Sequence, residues 1–213
     1  MPYSPYANPL PDYGDVDFDS LSSIRRAAIK SWIPKVVPST EGDTRFNQLM
    51  THEKCELRRA ANPNFTTCGS LPGWLFPKLG LHAALANYGL KGVKDAAISL
   101  GCWVKNDQTH ANLYASAYGG DQRPLPGDIY LLGTVANPDE ILHIGVIVSS
   151  TGDRWWTADA GQGEKATQQA LYVPHKYNAA NRYLDGEHAS YAKPLPSRRL
   201  IGWVDLDRAL EIS

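Results

Sequence analysis

Apolar positions recur at helical spacing in the first half of the chain, and run as short alternating blocks in the second. The segment Ser20–Leu21–Ser22–Ser23 offers an N-cap for a helix through about Trp32, which Pro34 and Pro38 end. Thr44 can cap a second helix, roughly Arg45–Ala60, with Phe46, Leu49, Met50 and Leu57 as its apolar stripe; Asn62–Pro63–Asn64 breaks it. Pro72 can open a third helix and Pro77 limits its length. Leu81, Ala84, Leu85 and Tyr88 share a helical face, with Gly89 as the C′ residue; residues 92–122 mix a short helix with turns. Beyond these the period shortens: Ile129–Leu132, His143–Ser149, Arg154–Ala160, Gln168–Val173 and Leu200–Val204 read as strands, and Asp205–Ile212 as a short closing helix. Helices first and strands second predict an α+β domain, with N-terminal helices packed on an antiparallel sheet of about five strands.

Composition narrows the class without changing that picture. The chain has 213 residues, 43% of them hydrophobic and 20% charged, which suits one soluble domain able to bury a real core. Residues 1–20, with Pro2, Pro5, Pro9 and Pro11, read as an irregular arm, and residues 21–213 as the domain. Lys and Arg number 21 against 22 Asp and Glu, a net charge of −1 with no basic cluster, so nothing argues for nucleic acid or an anionic membrane. No window reaches the roughly 18–20 apolar residues of a membrane span, and the N-terminus lacks the basic and apolar regions of a signal peptide. The expectation is a protein made in the cytoplasm that stays there or leaves by a route that reads no such signal.

Three cysteines, Cys55, Cys68 and Cys102, cannot all pair internally. Pairing of Cys55 with Cys102 would leave Cys68 free; three buried reduced thiols is the plain alternative. A thiol attacks only as thiolate, and its pKa of about 8.5 must fall for it to work near neutrality; a helix N-terminus and a nearby imidazole both lower it. Cys68 stands at a predicted helix start, between Thr67 and the small Gly69. His143 lies on a predicted strand, and alternation puts Gly145 and Ile147 on its face, so Gly145 would leave an opening for substrate beside the imidazole. Alone, each of these residues is as well explained by packing.

Together they carry a resemblance. Leu125–Pro126–Gly127–Asp128–Ile129–Tyr130–Leu131–Leu132 followed by His143–Ile144–Gly145–Val146–Ile147–Val148 resembles the signature of NlpC-type and CHAP-type cysteine hydrolases, papain-like bacterial cell-wall amidases and endopeptidases. That family orders Cys on a helix start, His on a core strand, then a polar residue on the next strand. Here the order is Cys68, His143 and Asp159, over roughly Thr66–Val173. The resemblance implies a papain-like fold with its catalytic core at about 64–174 and a helical extension at 21–63. It implies Cys68 as nucleophile, His143 as base and Asp159 as the residue that orients His143. Gln162 could do the last job instead, and a turn-capping role is the alternative for Asp159. Backbone N–H groups around Cys68–Gly69 are the expected oxyanion donors, while Asn62, Asn64 and Thr67 are only near in sequence. Trp74 either walls the site or packs in the core, and one of Trp155 and Trp156 would be core while the other could line a groove.

The implied substrate is the peptide part of peptidoglycan. With no wall-binding module, the chain looks like a catalytic toxin exported by a contact-dependent machine, such as a type VI secretion effector, active in the target-cell periplasm. A cognate immunity protein and a secretion carrier would then be partners. A protease, deamidase or acyltransferase with a protein substrate, and a catalytically dead binding module, stay open. No cofactor is called for. His52 and Cys55 have the spacing of a metal pair but no second pair accompanies them, so no metal site is assigned. Asp128 is expected to fix its turn, and His82, His110, His175 and His188 have no evident partner.

Overall fold

The structure, a computed structural model, describes residues 10–13, 16–50, 67–86, 89–106, 123–134, 137, 140–162, 168–178, 183–186 and 198–213. Five α-helices and an antiparallel sheet are found among them. Helix α1 (Ser23–Arg26) continues through a π-helical stretch, Ala27–Trp32, into a 3₁₀ turn, Ile33–Lys35, that contains Pro34. Its buried face carries Ile24, Arg25, Ala28, Ile29 and Ile33. Helix α2 (Thr44–Met50) buries Phe46, Leu49 and Met50. Its cap is Asp43 rather than Thr44: Asp43 Oδ1 accepts the Arg45 N–H at 2.8 Å. The predicted continuation to Ala60, with Leu57, Asn62 and Asn64, lies outside the described residues, as do His52, Cys55, His110 and His188.

Helix α3 (Ser70–Lys78) follows a 3₁₀ turn, Thr67–Gly69. Pro72 is its third residue, where a missing N–H is tolerated, and Pro77 is its last but one. The stretch read as a helix ending at Gly89 is different. It forms a 3₁₀ turn, Ala83–Leu85, and His82 Nδ1 accepts the Ala84 N–H. Gly89 is extended (φ −74°, ψ 123°) and precedes helix α4 (Leu90–Ser99) as its N-cap. Gly at that place signals a helix start as well as a helix end, and pattern alone does not separate the two. Helix α5 (Leu206–Glu211) is capped by the Asp205 side chain.

The strands are β1 (Ser39–Thr40), β2 (Trp103–Lys105), β3 (Ile129–Gly133), β4 (Ile141–Ser149), β5 (Arg154–Gln162), β6 (Gln169–Asn178), β7 (Tyr183–Gly186) and β8 (Arg198–Val204). All five expected strands are present; β1, β2 and β7, two to four residues each, are too short for alternation to show. The sheet order is β1-β6-β5-β4-β3-β8-β2, and β7 pairs with both β6 and β8. The pairings β3–β4–β5–β6–β7–β8–β3 therefore form a closed ring, which removes two open edges.

Alternation divides the strand side chains between two cores. Ile129, Leu131, Ile144, Val146, Val148 and Ala158 pack with the helices. Tyr130, Leu132, Ile147, Trp155, Tyr177, Leu184, Leu200 and Trp203, drawn from all six strands of the ring, form the second core inside it. Trp155 stacks on Tyr177 with centroids 4.2 Å apart, whereas Trp156 packs partly buried against the helical core.

A charged knot fixes where β3 begins. The guanidinium of Arg25, 1% exposed, meets Asp128 at 2.7 Å, Asp205 at 3.0 Å and Asp207 at 2.7 Å, and donates to Pro126 O at 3.1 Å. Asp128 also accepts the N–H of Leu125 at 2.8 Å and of Leu206 at 3.0 Å. One carboxylate thus ties the Pro126–Gly127 turn to the start of α5 and to α1. Gly127 is required twice over: its φ is +100°, and a Cβ there would press on Leu206 and Arg25 at 3.2–3.3 Å. Among the described residues no helix is long and apolar enough to cross a membrane.

Candidate active site

Cys68 lies in the turn Thr67–Gly69, which packs against β4 and β5 and delivers the chain into α3. Gly69 is the residue before the helix, so Cys68 directly precedes the N-terminal turn of α3, the end at which the helix dipole favours negative charge. Ser70 and Leu71 are fully buried and Cys68 is 4% exposed, so packing holds the turn in place.

Across from it, β4 carries His143, which is 6% exposed and hydrogen-bonded to Cys68. The other side of the ring is engaged: His143 Nε2 is 2.6 Å from Asp159 Oδ1 on β5. An ionised carboxylate only accepts, so Nε2 carries the hydrogen and Nδ1 is the nitrogen left for Cys68. The structure thus brings Cys68, His143 and Asp159 together, although 75 residues separate the first two in sequence.

The carboxylate is heavily supported. Tyr130 on β3 donates its hydroxyl to Asp159 Oδ1 at 2.5 Å, and Thr157 donates to Oδ2. Thr157 Oγ1 lies 2.8 Å from His175 Nε2 on β6, and that nitrogen is 4.0 Å from Asp159 Oδ2. Burial alone would raise the Asp159 pKa, but these donors, His143 first and then His175, hold it well below the usual carboxylate range. Burial likewise works against the His143 imidazolium, but the bonds to Asp159 and Cys68 overcome it and push its pKa up to about 9. Tyr130 is moved far up, by burial and then by the Asp159 charge, and stays a neutral donor.

Gly145 explains how these groups meet. On β4 it pairs with Tyr130 of β3, and the β4–β5 register, Val146 with Ala158, runs on to set it opposite Asp159. The row across three strands is therefore Tyr130, Gly145, Asp159, with no side chain in the middle. A Cβ on Gly145 would lie 2.1 Å from Asp159 Oδ1 and 2.8 Å from Tyr130 Cε1. This corrects the expectation of an opening for substrate: the space beside Gly145 is filled by the carboxylate and the phenol ring. The glycine admits the orienting residue instead.

Other expectations resolve in the same way. Gln162 is not what His143 meets; it lines a small cavity with Tyr130, His143, Asp159, His175 and Arg198. That cavity offers a water centre about 20 Å³, room for about one water. Trp74 packs in the helical core, edge-to-face with Trp32 at 6.1 Å. Cys102 is a free thiol whose Sγ–H points to Ala97 O at 3.6 Å, and burial pushes its pKa up to about 11. Asp128 holds its turn, as expected. Among the described residues no group of three His, Cys, Asp or Glu side chains is arranged to hold a metal ion.

Tyr130, Thr157 and His175 escaped the sequence reading. A signal was present for Thr157, which sits two residues before Asp159 on the same strand face. Tyr130 and His175 needed the strand register, which the sequence does not display. No protein-family model, no curated protein and no solved structure matches the chain.

Proposed function

We propose that this chain is a cysteine hydrolase of the NlpC-like, papain-like type that cleaves amide bonds in the peptide part of peptidoglycan. The observation that carries the reading is the buried hydrogen-bonded series Cys68–His143–Asp159, whose carboxylate is kept ionised and whose imidazole is made more basic. A structural histidine does not need a thiol on one nitrogen and a triply bonded carboxylate on the other.

In this mechanism His143 Nδ1 takes the proton of Cys68, and Asp159 stabilises the imidazolium that results. The thiolate forms a C–S bond to the amide carbonyl carbon, and backbone N–H groups at Cys68–Gly69 and the start of α3 receive the oxyanion. As the tetrahedral adduct collapses, the C–N bond breaks and His143 protonates the leaving amine. Water, deprotonated by His143, then attacks the thioester, releasing the acid and restoring the thiol.

Cys68 and His143 are 4% and 6% exposed, which favours a slender, extended substrate such as a peptide stem over a folded protein. Export as an antibacterial toxin, with a carrier and an immunity protein that occludes the cleft, is the biological setting that suits such an activity.

The test is to express wild type and Cys68→Ala, each with an added periplasmic signal, in a Gram-negative host. Wild type alone should lyse the cells, and their muropeptides should carry new amine and carboxyl ends. Equal lysis by both would remove Cys68 as nucleophile. Harm confined to cytoplasmic expression would move the substrate to a protein.

A further inference from the structure

The Asp159 carboxylate lies between two imidazoles, and the mechanism above uses only one. Its Oδ1 serves His143 and Tyr130. Its Oδ2 accepts from the Thr157 hydroxyl, which in turn lies 2.8 Å from His175 Nε2. A hydroxyl has one hydrogen, and Thr157 gives it to a carboxylate that can only accept. His175 must therefore be the donor of the other bond, with its hydrogen on Nε2. This fixes a directed series, His175 Nε2–H to Thr157 Oγ1–H to Asp159 Oδ2. Each hydrogen bond in it orients the next.

The cost of that arrangement is visible. His175 is buried, and its Nδ1 has no hydrogen-bond partner among the described residues. An orphaned buried nitrogen is unfavourable, so the ring is not there for the sake of its own solvation. Its register explains the reach: Thr157 pairs directly with Val173 on β6, and His175 is the diagonal neighbour two residues on. The titratable and charged groups facing Asp159 are His143 on β4, Tyr130 on β3, His175 on β6 and, across the cavity, Arg198 on β8.

We infer that Thr157 and His175 are positioning residues: they lock the rotation of the Asp159 carboxylate so that Oδ1 stays in line with His143. The assignment rests on the cysteine-hydrolase reading, since it gives the second imidazole a task in the same relay. Without the arm, the carboxylate is held at Oδ1 alone, by Tyr130 and His143, and its alignment with the His143 imidazolium loosens.

Histidine titration by NMR, with ¹³C-labelled histidine in the intact chain, reads this without any substrate. His143 should titrate near 9 in the wild type. Thr157→Val should lower that midpoint by about one pH unit, a tenfold change in the protonation ratio. His175→Phe should lower it in the same direction by less. Thr157→Ser and His175→Gln keep a hydroxyl and an N–H donor, and should restore the wild-type midpoint. The inference is overturned if Thr157→Val and His175→Phe, folded by circular dichroism, leave His143 unmoved. It is equally overturned if His175→Gln behaves as His175→Phe, which would make the ring a filler of space. The hydrolase reading is judged separately, by the Cys68→Ala lysis pair, so a failure of the arm and a failure of the nucleophile are told apart.

Discussion

Two clusters of buried charge flank β3, and they are built to opposite ends. At the entry to the strand, one guanidinium, Arg25, faces three carboxylates. In the ring, one carboxylate, Asp159, faces three donors, with His175 behind one of them. Both Asp128 and Asp159 are about 1% exposed, yet their proton affinities part in opposite directions. For Asp128 burial dominates, opposed by Arg25 and reinforced by Asp205, and the pKa rises to about 7. For Asp159 the donors outweigh burial and the pKa falls. Equal burial therefore leads to opposite protonation, and whether donors and opposite charges outweigh the burial decides the sign. The first cluster spends its bonds on holding α1, α5 and a turn together. The second leaves one ring nitrogen directed at a thiol.

The two clusters should fail differently when perturbed. Asp159→Asn keeps the shape but removes the charge that stabilises the imidazolium, so on the proposed hydrolase reading amide cleavage should drop on the order of 10³–10⁴-fold, measured as kcat/KM on purified muropeptides. Arg25→Met should leave the His143 titration intact while costing about 3–5 kcal/mol of stability by urea unfolding, because it strands buried carboxylates.

A pH series sharpens the contrast further. His143 has a raised folded-state pKa, so its stabilisation is fully present below about 6.5 and disappears as pH rises through about 9. The whole swing is about 3 kcal/mol at most, and His143→Gln should flatten that limb of the stability curve. Gly145→Ala drives a methyl into Asp159 and Tyr130; it should cost about 1–3 kcal/mol and lower the His143 midpoint in the same histidine NMR. Asp128 supplies the counterpart limb in the knot. Its folded pKa is also raised, so stability is lost between about 4 and 7 as it ionises, and Asp128→Asn should flatten that acid limb alone.

Much of this is legible in the chain itself. The five longer strands announced themselves through alternation, and their bounds agree to within a few residues except at the far end of β6. Pairing the turn at Pro126–Gly127–Asp128 with His143–Ile144–Gly145 put the thiol, the imidazole and the carboxylate in order. What the pattern misassigned was the part played by Gly145. A missing side chain looks the same from sequence whether a substrate or a neighbouring residue fills the gap. Gly89 was misread for a related reason, since glycine is compatible with either end of a helix.

The linear pattern determined those elements that repeat a signal over five or more residues, and the residue types able to do thiol chemistry. Folding decided everything that depends on a partner far along the chain. The knot joins Arg25 to Asp128 and Asp205, more than 100 residues away, and no local period marks such a pair. The ring closes through β7, four residues long, which pairs with β6 on one side and β8 on the other. The Tyr130–Gly145–Asp159 row and the arm from His175 exist only once three registers are set. Register is a property of neighbouring strands, and a one-residue slip would turn every one of these side chains to the other face.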